Sequence, residues 1–259
     1  MKAYLYAAGI IIQFFSVLPL HKTLPMEKAE LRAVLHLFPV LGLAKGILYA
    51  GAFWVLLEWN LPFSALAVAF IVWLLPIAFT GGLHLDGWMD WADAHFSFRD
   101  KDRRLTILND PRTGAFGVLA LVLLLSAKFL FIYETVAAGS GNAMFVLLIP
   151  FLAQLLTGLF LQYVPPAKEE GLAYFFRKGH SKSLPYIYAA FIIAAGSIYS
   201  MSPLFWIMLG CSGFYFVLIK RGMQKEFGGV TGDLLGAAQE GAELLLWMIV
   251  WLSVCFATV

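Results

Sequence analysis

Residues 114–137 read GAFGVLALVLLLSAKFLFIYETVA, and only Lys128 and Glu134 in this stretch carry a formal charge. A membrane-spanning α-helix needs about 20 consecutive apolar residues. A strand of a membrane barrel would instead alternate apolar and polar residues over about ten positions. The stretch therefore predicts an α-helix that crosses a membrane.

Similar apolar runs fill most of the chain. The others are Ala3–Leu20, Val34–Leu57, Leu61–Gly81, Ala143–Val164, Pro185–Ser200, Pro203–Ile219 and Leu244–Val259. We expect an all-α, polytopic integral membrane protein with seven to eight transmembrane helices, folded as a single membrane-embedded domain over residues 1–259. The first run is short and carries Gln13, so it either spans the membrane or lies in its interface.

The composition excludes several protein classes. Of the 259 residues, 61% are hydrophobic and 13% are charged. A soluble domain has about half apolar and a quarter charged residues. The formal net charge of +2 is too small for a nucleic-acid binder, and Cys211 and Cys255 lie within apolar runs, where they act as small hydrophobic residues.

The connections between the apolar runs differ in charge. The first, third, fifth and seventh connections contain fifteen of the 18 lysines and arginines, and the other three contain none. An excess of Lys and Arg marks cytoplasmic loops. We therefore expect the long polar loops to face the cytoplasm.

An acidic motif follows the third run. Residues 81–93 read GGLHLDGWMDWAD, and in a helix Asp86, Asp90 and Asp93 would share one face. Three carboxylates on one face repel each other unless a cation lies between them, and hard oxygen ligands suit Mg²⁺ or Mn²⁺. His84 stands beside this cluster and can accept or donate a proton. The alternative is three solvated aspartates.

A second acidic motif begins near the carboxyl end. Residues 228–243 read GGVTGDLLGAAQEGAE, which places Asp233, Glu240 and Glu243 on one helical face. The preceding glycines permit a tight turn and a close approach of the backbone to a phosphate. A purely structural turn explains this segment equally well.

Basic residues follow the first acidic motif. Arg103, Arg104 and Arg112 could bind phosphate oxygens through their guanidinium groups. Their position in a cytoplasmic loop explains them equally well, and we assign Arg99 and Lys101 to topology alone.

Two lysines, Lys45 and Lys128, lie deep within apolar runs. Each is too far from its interface for the ammonium group to reach water easily. They either face the interior of the bundle, in the direction of a substrate phosphate, or mark misplaced span limits.

Several motifs together resemble the cobalamin synthase (adenosylcobinamide-GDP ribazoletransferase) family. They are Gly81-Gly-Leu-His-Leu-Asp-Gly87 with Asp90 and Asp93, Asp102-Arg103, Asp110-x-Arg-x-Gly114, Lys128, Lys168-Glu-Glu-Gly-Leu172, and Gly228-Gly-x-Thr-Gly-Asp-x-Leu-Gly-Ala237 with Glu240 and Glu243. The motifs occur in the family's order across most of the chain. The chain departs from the family at Ser16-Val-Leu-Pro19, at Ala94, and near Gln154, where the family has a membrane arginine.

The resemblance implies an enzyme of late cobalamin synthesis in the bacterial cytoplasmic (inner) membrane. A ribose hydroxyl of α-ribazole, or of its 5′-phosphate, would attack the cobinamide-bound phosphorus of adenosylcobinamide-GDP, and GMP would leave. Mg²⁺ is the expected cofactor, and the expected partners are these substrates, the lipid bilayer and other late cobalamin enzymes, but no nucleic acid. The expected catalytic residues are Asp86, Asp90 and His84; the expected substrate contacts are Arg103, Arg104, Arg112, Lys128, Gly229 and Thr231; and the expected metal ligands are Asp86, Asp90, Asp93, Asp233 and Glu240.

Three other readings compete with this one. A CDP-alcohol phosphotransferase would have Asp-Gly-x-x-Ala-Arg, whereas Asp86-Gly87 is followed by Trp-Met-Asp. A UbiA-type prenyltransferase would have Asn-Asp-x-x-Asp motifs and no Gly-Gly-x-Thr-Gly-Asp segment. A transporter would place polar residues along a path between both faces, whereas here the short connections carry few of them.

Overall fold

The computed structural model describes residues 2–59 and 61–257, apart from the side chains of Ser140 and Ala257. Within these ranges the only β pairing is an isolated parallel bridge between Pro166 and Val230. The predicted all-α class is therefore confirmed. The helices are α1 (Lys2–Phe15), α2 (Lys28–Glu58), α3 (Ala65–Thr80), α4 (Leu83–Phe96), α5 (Lys101–Ile107), α6 (Ala115–Ala137), α7 (Ala143–Tyr163), α8 (Gly171–Arg177), α9 (Leu184–Tyr199), α10 (Pro203–Gly222) and α11 (Gly232–Ala257), with a 3₁₀ turn at Ser140–Asn142 and a π turn at Met223–Phe227.

Five of these helices are long and apolar enough to cross a membrane: α2, α6, α7, α10 with its π turn, and α11. Helices α3 and α4 qualify only as a pair, which is bent by 87°. Helices α1 and α9 contain 14 and 16 residues, so they measure about 21 and 24 Å, against about 30 Å for the hydrocarbon core. The described ranges thus form a multi-pass membrane protein with five or six candidate spans, and the predicted count of seven to eight is not confirmed.

Helix α7 lies at the centre of the bundle, and 78% of its most apolar stretch is buried. Helix α2 packs against it closely at two glycines. A β-carbon at Gly42 would lie 2.8 Å from the Cα atom of Phe151, and one at Gly46 would overlap the carbonyl oxygen of Leu147. Small residues allow this close approach of two membrane helices, whose packing then depends on van der Waals contact.

The break between α3 and α4 is made by Gly81 and Gly82. Their φ angles are +65° and +81°, a left-handed conformation that glycine adopts at little cost. The amide nitrogen of Val17, just after α1, lies 2.9 Å from the carbonyl oxygen of Phe79 and fixes the end of α3. Helix α4 then leaves at a steep angle to α3 and packs against α6 and α11. The glycine pair therefore sets the direction of the acidic motif.

Candidate active site

Three polar segments that are distant in the sequence meet at one end of the bundle. Lys168, in the loop after α7, donates a hydrogen bond to the carbonyl oxygen of Leu105 in α5 at 3.3 Å. The amide nitrogen of Ala167 lies 3.0 Å from the carbonyl oxygen of Val230, and the Val230 amide lies 2.8 Å from the carbonyl oxygen of Pro165. The loop after α7 therefore joins α5 to the segment that leads into α11.

Helices α4 and α11 cross in direct backbone contact at two glycines. A β-carbon at Gly87 would lie 2.9 Å from the Cα atom of Asp233, and one at Gly236 would lie 3.2 Å from the Cα atom of His84. Asp86 immediately precedes the first of these glycines. The crossing therefore brings together the beginnings of the two acidic motifs.

Three carboxylates surround this crossing. Asp86 is exposed, whereas Asp90 and Asp233 are partly buried. Asp90 is close enough to both of the others for their negative charges to repel it, and Lys168 is the cation that acts on Asp233. Closely spaced like charges favour a bound cation. Among the described residues, no three His, Cys, Asp or Glu side chains already form a group that could hold a metal ion.

Asp93 occupies a different position from these three carboxylates. Its two oxygens accept hydrogen bonds from the amides of Gly114 at 2.7 Å and Gly117 at 2.8 Å, at the start of α6. The first amides of a helix lack partners within the helix, and a carboxylate satisfies them well. The structure thus shows Asp93 capping α6, and its expected role as a metal ligand stays a prediction.

Glu240 and Lys128 contact each other inside the bundle. The Lys128 ammonium lies 2.5 Å from a carboxylate oxygen of Glu240 and 3.0 Å from one of Glu243. Gln239 donates a hydrogen bond to Glu243 at 3.2 Å and accepts one from Thr157 at 2.5 Å. Lys128 and Glu240 therefore form a buried ion pair that joins α6 to α11, and their expected roles as phosphate contact and metal ligand stay predictions.

The second deep lysine completes this network. Lys45 is 2% exposed and donates a hydrogen bond to the amide oxygen of Gln154 at 3.2 Å. It also lies within electrostatic reach of Glu240 and Glu243. Both deep lysines thus face the interior of the bundle, and two lysines balance two glutamates there. The family resemblance places a membrane arginine near position 154. The neutral side chain of Gln154 accepts the hydrogen bond from Lys45 and adds no third positive charge.

A cavity of about 90 Å³ adjoins the α4–α11 crossing. Its polar wall is formed by His84, Asp86, Asp233, Thr157 and Gln239. His84 is buried, with 7% of its surface exposed. The cavity therefore extends from the carboxylates at the crossing to Thr157 and Gln239, which hydrogen-bond to each other beside the buried ion pair.

The opposite wall of this cavity is aromatic, and sequence reasoning missed it. Phe14 and Phe15 come from the end of α1, and Phe176 comes from α8. The ring centroids of Phe14 and Phe176 are 5.5 Å apart with perpendicular planes, and those of Phe15 and Phe176 are 5.8 Å apart. No spacing in the sequence indicates that these helices meet. Gln239 could have been found, because it lies one helical turn before Glu243.

The guanidinium group of Arg112 forms an ion pair with its neighbour Asp110. Its Nε and Nη2 atoms lie 2.9 and 2.7 Å from the two carboxylate oxygens of that aspartate. These hydrogen bonds lower the pKa of the Asp110 carboxyl to about 2. The guanidinium is 86% exposed, so it faces the solvent rather than the carboxylates at the crossing.

The other two arginines differ from each other. Arg104 forms an ion pair with Glu226 of the π turn, and His95 Nδ1 lies 2.6 Å from the same carboxylate. The side chain of Arg103 is exposed and has no hydrogen-bond or ion-pair partner in the described part of the chain. Arg103 is therefore the member of the predicted phosphate-binding set that is available to a ligand.

The two remaining predicted substrate contacts, Gly229 and Thr231, both make contacts within the protein. A β-carbon at Gly229 would overlap the carbonyl oxygen of Pro165, so this glycine permits close backbone packing. The hydroxyl of Thr231 accepts a hydrogen bond from the amide of Leu234 at 3.2 Å and caps α11. Both residues shape the start of the helix that carries Asp233.

The comparisons with known proteins agree with the motifs. A family model described as cobalamin-5-phosphate synthase matches residues 7–251. The adenosylcobinamide-GDP ribazoletransferase of Geobacillus sp. (strain WCH70) is 35% identical, with 97% of each chain covered. The protein of the same name from Clostridium perfringens (strain SM101 / Type A) is 32% identical over 91% of this chain and 93% of its own. The one from Acinetobacter baumannii (strain ACICU) is 34% identical over 92% of this chain and 93% of its own.

No solved structure matches this chain. The family match nevertheless extends over both acidic motifs, the arginine-containing loop and the candidate spans, the last of them as far as residue 251. The chain belongs to the cobalamin-5-phosphate synthase family.

Proposed function

We propose that this protein is an adenosylcobinamide-GDP ribazoletransferase. It transfers the adenosylcobinamide-phosphate group of adenosylcobinamide-GDP to α-ribazole or α-ribazole 5′-phosphate and releases GMP. The relatives of that name support this activity, since they match nearly the whole chain. The structural observation that carries the proposal is the crossing of α4 and α11, where Asp86 and Asp233 line a cavity and Asp90 lies within electrostatic reach of both.

The reaction exchanges one phosphorus–oxygen bond for another. The acceptor hydroxyl oxygen forms a bond to the cobinamide-bound phosphorus. The bond from that phosphorus to the oxygen of GMP breaks, and GMP leaves with its electron pair. We assign the acceptance of the hydroxyl proton to one of the three predicted catalytic residues, Asp86, Asp90 or His84, because Asp86 and His84 line the cavity and Asp90 lies within electrostatic reach of Asp86. Phosphoryl transfer depends mainly on positioning and charge neutralisation, which suits a site without a protein nucleophile.

The donor set at the crossing fits Mg²⁺. This ion is typically bound by one or two carboxylates together with substrate phosphates, and it rarely needs a cage of protein ligands. Asp86, Asp90 and Asp233 would hold it. Bound there, it would neutralise diphosphate charge and polarise the phosphorus. The residues that contact the diphosphate from the protein side are Arg103 and Lys168, whose ammonium retains free N–H donors beside its bond to Leu105.

We place the polar end of the bundle at the cytoplasmic face of a bacterial inner membrane. The distribution of lysine and arginine among the connections supports this orientation. The charged substrates are water-soluble, and the site lies at the end of the bundle that carries the polar loops. Association with other late cobalamin enzymes, and the single domain over residues 1–259, stay predictions from the sequence.

A reconstituted system tests the proposal. The purified protein in liposomes receives adenosylcobinamide-GDP, α-ribazole 5′-phosphate and Mg²⁺, and the products are identified by mass. We expect equal amounts of GMP and adenosylcobalamin 5′-phosphate. A matched pair of variants, Asp233→Asn at the crossing and Glu169→Gln on the exposed loop, should be inactive and active respectively. GMP release that continues without any acceptor would show a hydrolase and contradict the proposal.

A further inference from the structure

A second, open cavity of about 540 Å³ lies next to the active site, along helix α5. We call it the α5 groove. Its three residues on the helix, Asp102, Leu105 and Thr106, lie at i, i+3 and i+4, which is one helical face, and Asn109 follows the end of the helix. The groove is lined by Asp102, Leu105, Thr106, Asn109, Asp110, Pro111 and Lys168. Apart from Lys168, no residue that lines the groove has a part in the proposed reaction or metal site.

The α5 groove is rich in free hydrogen-bond acceptors. The carboxylate of Asp102 accepts no hydrogen bond from any described residue. The side-chain amide nitrogen of Asn109 donates a hydrogen bond to the carbonyl oxygen of Leu105 at 2.6 Å, which leaves its side-chain oxygen free. Thr106 donates its hydroxyl proton to the carbonyl oxygen of Asp102 at 2.9 Å, so its oxygen can only accept. A ligand that presents several N–H or O–H donors therefore complements this surface.

Lys168 joins the α5 groove to the active site. Its ammonium hydrogen-bonds to α5 at one wall of the groove, and the same charge acts on Asp233 at the α4–α11 crossing. A ligand that runs from the crossing into the groove would pass this cation. Such a ligand therefore needs two features: a phosphate where it passes Lys168, and a hydrogen-bond donor where it meets Asp102.

We propose that the α5 groove binds the guanosine monophosphate half of the donor substrate, with Asp102 accepting hydrogen bonds from guanine and Lys168 contacting the phosphate. Guanine presents two adjacent donors, N1–H and the 2-amino group, which one carboxylate can accept together. Adenine presents its ring nitrogen N1 as an acceptor, which a carboxylate repels. This inference rests on the proposed function, and it makes Asp102 the residue that selects guanine in the leaving group.

Direct nucleotide binding tests this assignment without relying on turnover. Binding of GMP, IMP and AMP is measured by equilibrium dialysis with the full chain in nanodiscs. IMP differs from GMP only in lacking the 2-amino group. A bidentate contact to a base is worth a discrimination of about tenfold or more. We expect the unaltered protein to bind GMP at least about tenfold more tightly than IMP or AMP.

The variants Asp102→Asn and Glu169→Gln form a matched pair of exposed acidic residues, one in the groove and one outside its lining. We expect the first to lose the preference for GMP and the second to keep it. Equal binding of GMP, IMP and AMP by the unaltered protein, or an unchanged preference in Asp102→Asn, would overturn the inference. GMP-selective binding by a protein that transfers nothing would instead refute the proposed function and leave the groove assignment standing.

Discussion

Replacing Lys128 by methionine should destabilise the protein strongly. The ammonium group lies 2.5 Å from Glu240 and 3.0 Å from Glu243, and all three side chains are about nine-tenths buried. Methionine keeps an unbranched apolar side chain that is one heavy atom shorter than lysine, and it removes the charge and the donors. The variant therefore leaves two buried carboxylates with Lys45 as their remaining cation.

The size of the effect follows from this geometry. Breaking a buried ion pair by removing one partner costs about 3–5 kcal/mol, because the other charge stays buried without compensation. A hydrogen bond between membrane helices is worth about 0.6 kcal/mol on average, so the loss of hydrogen bonding alone would give a smaller effect. We expect about 4 kcal/mol for Lys128→Met. The double variant Lys128→Met/Glu240→Gln restores charge balance between Lys45 and Glu243, and we expect it to lie within about 2 kcal/mol of the unaltered protein.

Reversible unfolding in mixed micelles of SDS and a mild detergent measures these free energies. Lys182→Met is the matched control, because Lys182 is exposed and its loss should change stability by less than about 0.5 kcal/mol. A Lys128→Met variant as stable as this control would refute the reasoning. So would a double variant whose loss equals the sum of its two single losses, because the network would then carry no coupling.

Three further predictions concern separate features. Asp86→Asn should lower kcat at least about 100-fold in the liposome assay with the protein still folded, and normal turnover would remove this residue from the site. Gly82→Ala should destabilise the protein by about 1–2 kcal/mol in the same unfolding assay, because φ is +81° there; Gly210→Ala, in a helix with open space around it, should not. Arg112→Ala should raise the pKa of Asp110 from about 2 towards its ordinary value of 3.8, as read by carboxyl carbon NMR. In the unaltered protein the stabilisation from that depressed pKa is complete above pH 3.8 and is lost as the pH falls through about 2, so titration of Asp110 should not make stability vary between pH 5 and 8.

The sequence was sufficient for the fold class and for the helix that carries Asp86 and Asp90. Long apolar runs can only be helices in a membrane, because their backbone groups must be satisfied internally. As the spacing predicts, Asp86 and Asp90 lie four residues apart in one helix, and the Gly-Gly pair before them makes a left-handed turn. The predicted count of seven to eight spans was not confirmed, because α1 and α9 are apolar but short.

Side-chain partners across the bundle could not be read from the sequence. Asp93 shares the periodicity of Asp86, yet both its oxygens cap a helix that begins 22 residues later. Glu240 shares the periodicity of Asp233, yet it pairs with a lysine 112 positions away. Helical spacing shows which residues share a face, but the neighbour of that face depends on how the helices pack.

The buried ion pair also has a consequence for the biosynthesis of the chain. Lys128 enters the membrane in α6, and its partner Glu240 lies 112 residues further along. Ribosomes add about 5–20 residues per second, so this lysine waits roughly 6–22 s for its counter-charge. A lysine at the centre of a membrane helix costs about 2.5–3.5 kcal/mol during insertion, which the leucine-rich remainder of α6 must offset. Helix α11, which emerges from the translocon after α6, therefore carries the charges that pair with the lysine of α6, and a chain truncated before α11 leaves α6 with an unmatched cation in the bilayer.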